Sequence, residues 1–171
     1  KPCVQAIAEL VLNYQCTAVL CTATQPALAR YFPQQLQTRE LYEHAKEAFG
    51  VFKRTRLVFA GELDDEALAK RLRSHRQVLC IVAQRVYALL EKEGTYHLST
   101  FMCPEHRKKV LEEIRRKLDH GQVCRVVSTS LIEAGVDVDF PAVYRAEAGL
   151  DSLIQAAGRC NRNGKNPISP V

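Results

Sequence analysis

The chain has 171 residues, 47% hydrophobic and 25% charged, with a net charge of +5. That is enough for one ordinary domain with a buried core. It rules against a membrane span, since no run of about eighteen apolar residues occurs. The mild positive charge suits a polyanionic partner, but many housekeeping enzymes carry as much.

In chain order, Val4, Ile7, Ala8 and Val11 recur at helical spacing over 4–14. Thr17 to Thr22 reads as a buried strand, and Pro26 blocks its simple continuation. Residues 27–50 read as a connector with local helix. A strand–helix alternation follows. Arg56–Ala60 is a predicted strand and 64–73 a helix, with Asp64, Asp65 and Glu66 complementing its dipole. Val78–Val82 is a strand, 85–93 a helix and Tyr96–Ser99 a short strand. The longest predicted helix is 104–120. Pro104 suits its first turn, Val110, Leu111, Ile114 and Leu118 form its apolar stripe, and Gly121 ends it. Val123–Ser128 is a strand, Pro141–Ala146 holds another, and 151–163 is a helix. Apolar strands alternating with helices predict a parallel α/β sheet, whose ligands collect at the carboxyl ends of strands.

Seven cysteines occur, at 3, 16, 21, 80, 103, 124 and 160, without a CxxC pair. Cys16, Cys21, Cys80 and Cys124 lie in or beside apolar runs, so reduced, buried thiols are expected rather than disulfides or zinc ligands. The histidines are scattered, and no metal site is expected. The opening Lys1-Pro2-Cys3-Val4 has no signal-peptide pattern, so the expected location is cytoplasmic.

Three strings carry chemistry. In 151–163, Gln155, Arg159 and Arg162 stand at i, i+4 and i+7, one face of the predicted helix. Two guanidinium groups on one face suit phosphate oxygens and the charge that develops in phosphoryl transfer. The plain alternative is a solvated basic face. Gly158 beside them permits close approach of a backbone or ligand, and in a helix costs about 1 kcal/mol against Ala. The second string, 128–140, follows a strand directly. Thr129 or Ser130 can cap a short helix, and Ser130 with Glu133 fits a capping box. Such a helix start also presents N–H groups to a phosphate, with the Thr129 hydroxyl as a further donor. Gly135 suggests a turn, and Asp137 either binds a ribose hydroxyl or holds an arginine from 155–162. In the third string, Cys21 to Pro26, Thr22 and Thr24 bracket Ala23 at a strand end, which turn chemistry alone explains. Basic runs at 53–56, 70–76 and 107–117 are solvated faces or a nucleic-acid path. Phe101 and Tyr144 read as packing residues.

Together these strings resemble the superfamily-2 helicases. Thr22-Ala23-Thr24 resembles their motif III, 128–139 motif V and 155–162 motif VI. His97-Leu98-Ser99-Thr100, Met102-Cys103-Pro104-Glu105-His106-Arg107 and Ile132 to Phe140 are similar to the helicase-nuclease of type I CRISPR systems. The resemblance implies a RecA-like, mostly parallel sheet flanked by helices, with a short remnant of a preceding RecA-like domain. Residues 1–26 would be that remnant, 27–50 the connector, and 51–171 the second RecA-like domain, with its last strands missing. No GxxxxGK[ST] phosphate loop occurs, so ATP and Mg2+ would be held mainly by a first RecA-like domain outside this sequence.

The resemblance further implies an ATP-dependent single-stranded-DNA helicase in CRISPR interference. Its partners would be single-stranded DNA, the first RecA-like and HD nuclease domains of the same protein, and the CRISPR surveillance complex, with no membrane. By the same resemblance, Arg162 would be the arginine finger, supported by Arg159, with Gln155 positioning the helix. Gly135 and Asp137 would contact nucleotide or the arginines, and Thr129 and Ser130 the DNA. Thr22 and Thr24 would couple ATP state to DNA grip. Ala156 departs from the family's QRxGRxxR pattern, and Ala83 stands where asparagine is frequent. A superfamily-2 helicase outside CRISPR and a non-catalytic adaptor of helicase shape are the alternatives. The 171-residue chain alone is expected to be inactive.

Overall fold

A computed structural model describes residues 2–21, 29–39, 41–42, 44, 47, 50, 53–82, 85–129 and 136–171. The chain divides into two compact units, Lys1–Val51 and Phe52–Val171.

In the first unit, α1 spans Pro2–Tyr14. Its apolar spacing works as expected: Ala8 is buried and Val4, Ile7 and Val11 are half-buried. It stops where Gln15 takes a φ of 54° and the Cys16 N–H bonds the Leu10 carbonyl at 3.1 Å. The strand expected from Thr17 does not form among the described residues. Residues 17–21 are irregular and exposed, including Val19 at 66%. A buried strand needs neighbours for its N–H and C=O groups, and no described residue pairs with this stretch. Cys16 and Cys21 are accordingly exposed rather than buried. Residues Ala29–Tyr31 form a single 3-10 turn.

The second unit holds the α/β layers. β1 (Thr55–Arg56) is followed by α2 (Asp65–Ser74), β2 (Gln77–Ile81), α3 (Arg85–Ala88) and β3 (Thr95–Leu98). Then come α4 (Pro104–Asp119), β4 (Cys124–Ser128), β5 (Val143–Arg145), α5 (Leu150–Ala157) and β6 (Ser169–Pro170). The main sheet has the order β3-β4-β2-β5, and every pairing is parallel. Successive strand residues face opposite sides, so both faces are covered. Leu79, Ile81 and Val126 pack with Ile114 and Leu118 of α4 and Ala156 of α5. Val78, Cys80 and Val127 pack with Ala69 and Leu72 of α2 and with Val86 and Leu90. α2 begins as expected, with the Asp64 carboxylate accepting the Ala67 N–H at 2.7 Å. At Gly94, φ is +69° and a Cβ would lie 2.8 Å from the Val123 carbonyl, so only glycine fits this close approach into β3.

Several boundaries differ from expectation. The strand placed at Arg56–Ala60 is only Thr55–Arg56, paired with β6, and Leu57 and Phe59 are exposed. β6 (Ser169–Pro170) is a strand that the sequence pattern does not predict. α3 gives way to a turn after Ala88. Phe101 is 98% exposed, whereas Tyr144 does pack, its hydroxyl 3.1 Å from His75 Nε2. No helix of the described residues is long and apolar enough to cross a membrane.

Candidate functional site

The expected helix 151–163 stops at Ala157. Gly158 caps it, its N–H bonding the Ile154 carbonyl at 3.0 Å. A Cβ there would lie 3.3 Å from the Gln155 carbonyl and 3.6 Å from that of Ile154, both on the helix's own last turn. Beyond it the chain is pulled into a parallel bridge between Phe140 and Cys160. The Phe140 N–H bonds the Arg159 carbonyl and the Asn161 N–H bonds the Phe140 carbonyl, each at 2.9 Å. Asn161 then turns left-handed, with φ 47°. Those bonds consume the groups that a continuing helix would use. Gln155 therefore stays on α5 while Arg159 and Arg162 lie on the turn beyond, and the single helical face expected for the three does not exist.

The turn nonetheless brings two of the strings together. Arg162 Nε lies 3.1 Å from Asp137 Oδ1, with the two side chains 45% and 76% exposed. Asp137 thus holds an arginine, one of the two roles left open for it, and that arginine is Arg162. Burial first, and then the Arg162 guanidinium, pull Arg159 below the ordinary arginine value, while Asp137 opposes them. The Asp137 carboxylate thus faces the charge of both arginines. Asp139 accepts the N–H of Arg162 at 2.7 Å and that of Asn163 at 3.3 Å. The Arg115 Nε–H donates to the Asp137 carbonyl at 3.0 Å, and the Arg54 side chain donates to the Arg162 carbonyl.

A family model described as "CRISPR-associated nuclease/helicase Cas3, C-terminal" matches residues 66–165, more than half of the chain. The chain belongs to that family. Over 57 residues, 33% of the chain, it is 47% identical to the CRISPR-associated nuclease/helicase Cas3 of Haloferax volcanii. Over 89 residues, 48% of the chain, it is 33% identical to an ATP-dependent helicase of Methanocaldococcus jannaschii. The matches span 6% and 13% of those relatives' lengths. Two crystal structures of T. fusca Cas3, one titled with AMPPNP, are similar in fold. They have TM-scores of 0.51 and 0.52 at 23% and 22% identity, each over 69% of this chain and 18% and 17% of theirs. The RecA-like α/β fold read from the Cas3-like motifs is therefore the fold found.

Of the other expected site residues, Thr129 lies at the carboxyl end of β4, its N–H bonded to the Leu98 carbonyl at 3.2 Å. Its hydroxyl is buried without a hydrogen-bond partner among the described residues. The Nε2 of His97, in register with Val127 on β4, is likewise buried without a hydrogen-bond partner among the described residues, and burial lowers the pKa of His97. Thr22, Thr24, Ser130 and Gly135, like Ala83, lie outside the described residues. No group of His, Cys, Asp or Glu that could hold a metal occurs among the described residues.

The residues that sequence reasoning missed are Asp139, Arg115, Arg54 and Asn161. A signal existed for Asp139. In extended backbone, Asp137 and Asp139 share a side while Val138 takes the other. Val138 and Phe140 are buried accordingly, and both acids meet the Arg162 turn.

Proposed function

We propose that the chain is the ATP-closing lobe of a single-stranded-DNA translocase acting in CRISPR interference, with Arg162 as its arginine finger. The observation that carries this reading is the pairing of Arg162 with Asp137. It joins the motif V-like and motif VI-like strings while leaving the guanidinium partly open. A pair this exposed contributes only about 0–1 kcal/mol, so a nucleotide phosphate can displace the carboxylate. Arg159 adds positive charge beside it, and Gln155 orients the end of α5. Asp137 and Gly135 would adjoin the nucleotide, Thr129 and Ser130 the DNA backbone, and Thr22 and Thr24 the coupling path.

ATP fits this cationic pair as a third-party anion. Mg2+ would be held by a first RecA-like domain, since this sequence carries no GxxxxGK[ST] phosphate loop. The T. fusca Cas3 structures titled with AMPPNP and ATP support nucleotide use in the family. The same reading gives a cytoplasmic protein whose partners are single-stranded DNA, an HD nuclease domain and a CRISPR surveillance complex. Residues 1–26 would end the first RecA-like domain, 27–50 connect, and 51–171 form the second.

The test is ATP turnover by the full-length protein, with and without single-stranded DNA, comparing wild type with Arg162→Ala. DNA-stimulated turnover should fall about a thousandfold or more, with ATP binding largely kept. Unchanged turnover would make the turn structural and favour a non-catalytic adaptor.

A further inference from the structure

Arg162 is gripped twice by one short segment. Asp137 holds its guanidinium, and Asp139, two residues on, holds its main chain through the N–H groups of Arg162 and Asn163. The second grip is the firmer. Asp139 is half-buried, its contact with the Arg162 N–H is short at 2.7 Å, and a carboxylate accepting from N–H groups makes a charge-assisted bond. The other side of the turn is closed by the Arg54 side chain on the Arg162 carbonyl. Next to it stands Asn161, which is 1% exposed and bonded to Arg54 and Asn166. None of these main-chain contacts uses the Asp137 carboxylate.

We infer that Asp139 is a positioning residue: its carboxylate fixes the main chain of Arg162, so that the guanidinium exchanges Asp137 for a nucleotide phosphate from a stationary anchor. The inference rests on the reading of Arg162 given above. A long side chain reaches one point reproducibly only from a fixed Cα, and a misplacement of about 1 Å can lower a rate about a hundredfold. A carboxylate that merely satisfied two exposed N–H groups would have no such effect.

The test uses the full-length protein with single-stranded DNA and compares wild type, Asp139→Ala, Asp139→Asn, Arg162→Ala and the double variant Asp139→Ala/Arg162→Ala. In Asp139→Ala, kcat should fall about a hundredfold, with the KM for ATP within about twofold of wild type. The double variant should be no slower than Arg162→Ala alone, because the two residues act as one unit. Asp139→Asn keeps an acceptor for the Arg162 N–H and should recover most of the rate. Wild-type kcat in Asp139→Ala beside an impaired Arg162→Ala overturns this inference alone, as does a further loss in the double variant. An unimpaired Arg162→Ala overturns the finger reading and this inference with it. Should Asp139→Ala fail to fold, Asp139→Leu, which also lacks an acceptor, is measured instead, with the same loss expected. Failure of both to fold makes Asp139 a residue of general stability and overturns the inference.

Discussion

Asn161 offers the sharpest test of how the site turn is held. Its side chain makes three hydrogen bonds: Nδ2 donates to the carbonyls of Arg54 at 3.1 Å and Asn166 at 2.6 Å, and Oδ1 accepts the Asn166 N–H at 3.0 Å. At about 1 kcal/mol net each, their loss in Asn161→Ala removes about 3 kcal/mol. Alanine in the left-handed conformation that Asn161 adopts, φ 47°, costs about 1 kcal/mol more. With a urea dependence of about 2 kcal/mol per molar, the midpoint should move down by about 2 M. Asn161→Gly removes the same bonds and relieves the left-handed backbone. Glycine returns about 0.5–1 kcal/mol through the entropy of the unfolded chain, so the two variants should lie within about 1 kcal/mol of each other. The assay is equilibrium urea unfolding of the 171-residue chain followed by circular dichroism. Wild-type stability in Asn161→Gly would refute the reasoning, because the loss in Asn161→Ala would then be backbone strain and not hydrogen bonding.

Other outcomes follow from the same structure. Cys3, Cys16, Cys21 and Cys103 should react quickly with a thiol reagent in native protein. Cys80 and Cys124, both pushed up to about 12 by burial, and Cys160, raised to about 11, should react only on unfolding; fast labelling of all seven would refute the burial. His75 and His97 are both held below their ordinary value by burial, with Arg125 adding to the effect at His75. The unfolded chain therefore binds more protons below about pH 6.5, so stability is complete above that pH and declines as pH falls through the folded values. The urea midpoint should drop between about pH 7 and pH 5, and less steeply in His97→Gln; a flat profile in wild type would count against the buried imidazoles. The 171-residue chain alone should turn over ATP negligibly and bind single-stranded DNA weakly, with affinity that falls as salt rises. Measurable turnover, or affinity indifferent to salt, would contradict the lobe reading.

The parallel sheet was legible because β2 is apolar from Val78 to Ile81 and β4 is mostly apolar, broken by Arg125, the pattern of strands covered on both faces. α4 was legible because its start, stripe and end carry separate signals: Pro104, then Ile114 and Leu118, then Gly121. The stretch after Thr17 misled for the complementary reason. An apolar run says that a segment wants burial but not whether a partner lies within reach, and Val19 and Leu20 are exposed among the described residues. α5 misled differently. The spacing of Gln155, Arg159 and Arg162 fits a helix, yet two backbone bonds to Phe140 capture the chain first. That contact spans about twenty positions, and no local period reports it. Phe101 likewise looked like a packing residue because composition cannot say which way a loop aromatic points.

The ways in which Arg162 is held differ in strength, and the difference bears on what the residue can do. Its main chain is tied by Asp139, by Arg54 and, through the buried Asn161, to the strand pair of β1 and β6. Its guanidinium has a solvent-screened partner in Asp137, worth about 0–1 kcal/mol. A buried, fully bonded guanidinium would cost several kcal/mol to release and would serve structure alone. A guanidinium on an unanchored loop would find a phosphate only after paying for the ordering of the chain. Fixing the backbone firmly and the side chain weakly avoids both penalties. It leaves a cation that can change partners without the turn moving. That division of labour, more than the presence of two arginines seven positions or fewer beyond Gln155, separates this turn from an ordinary basic surface.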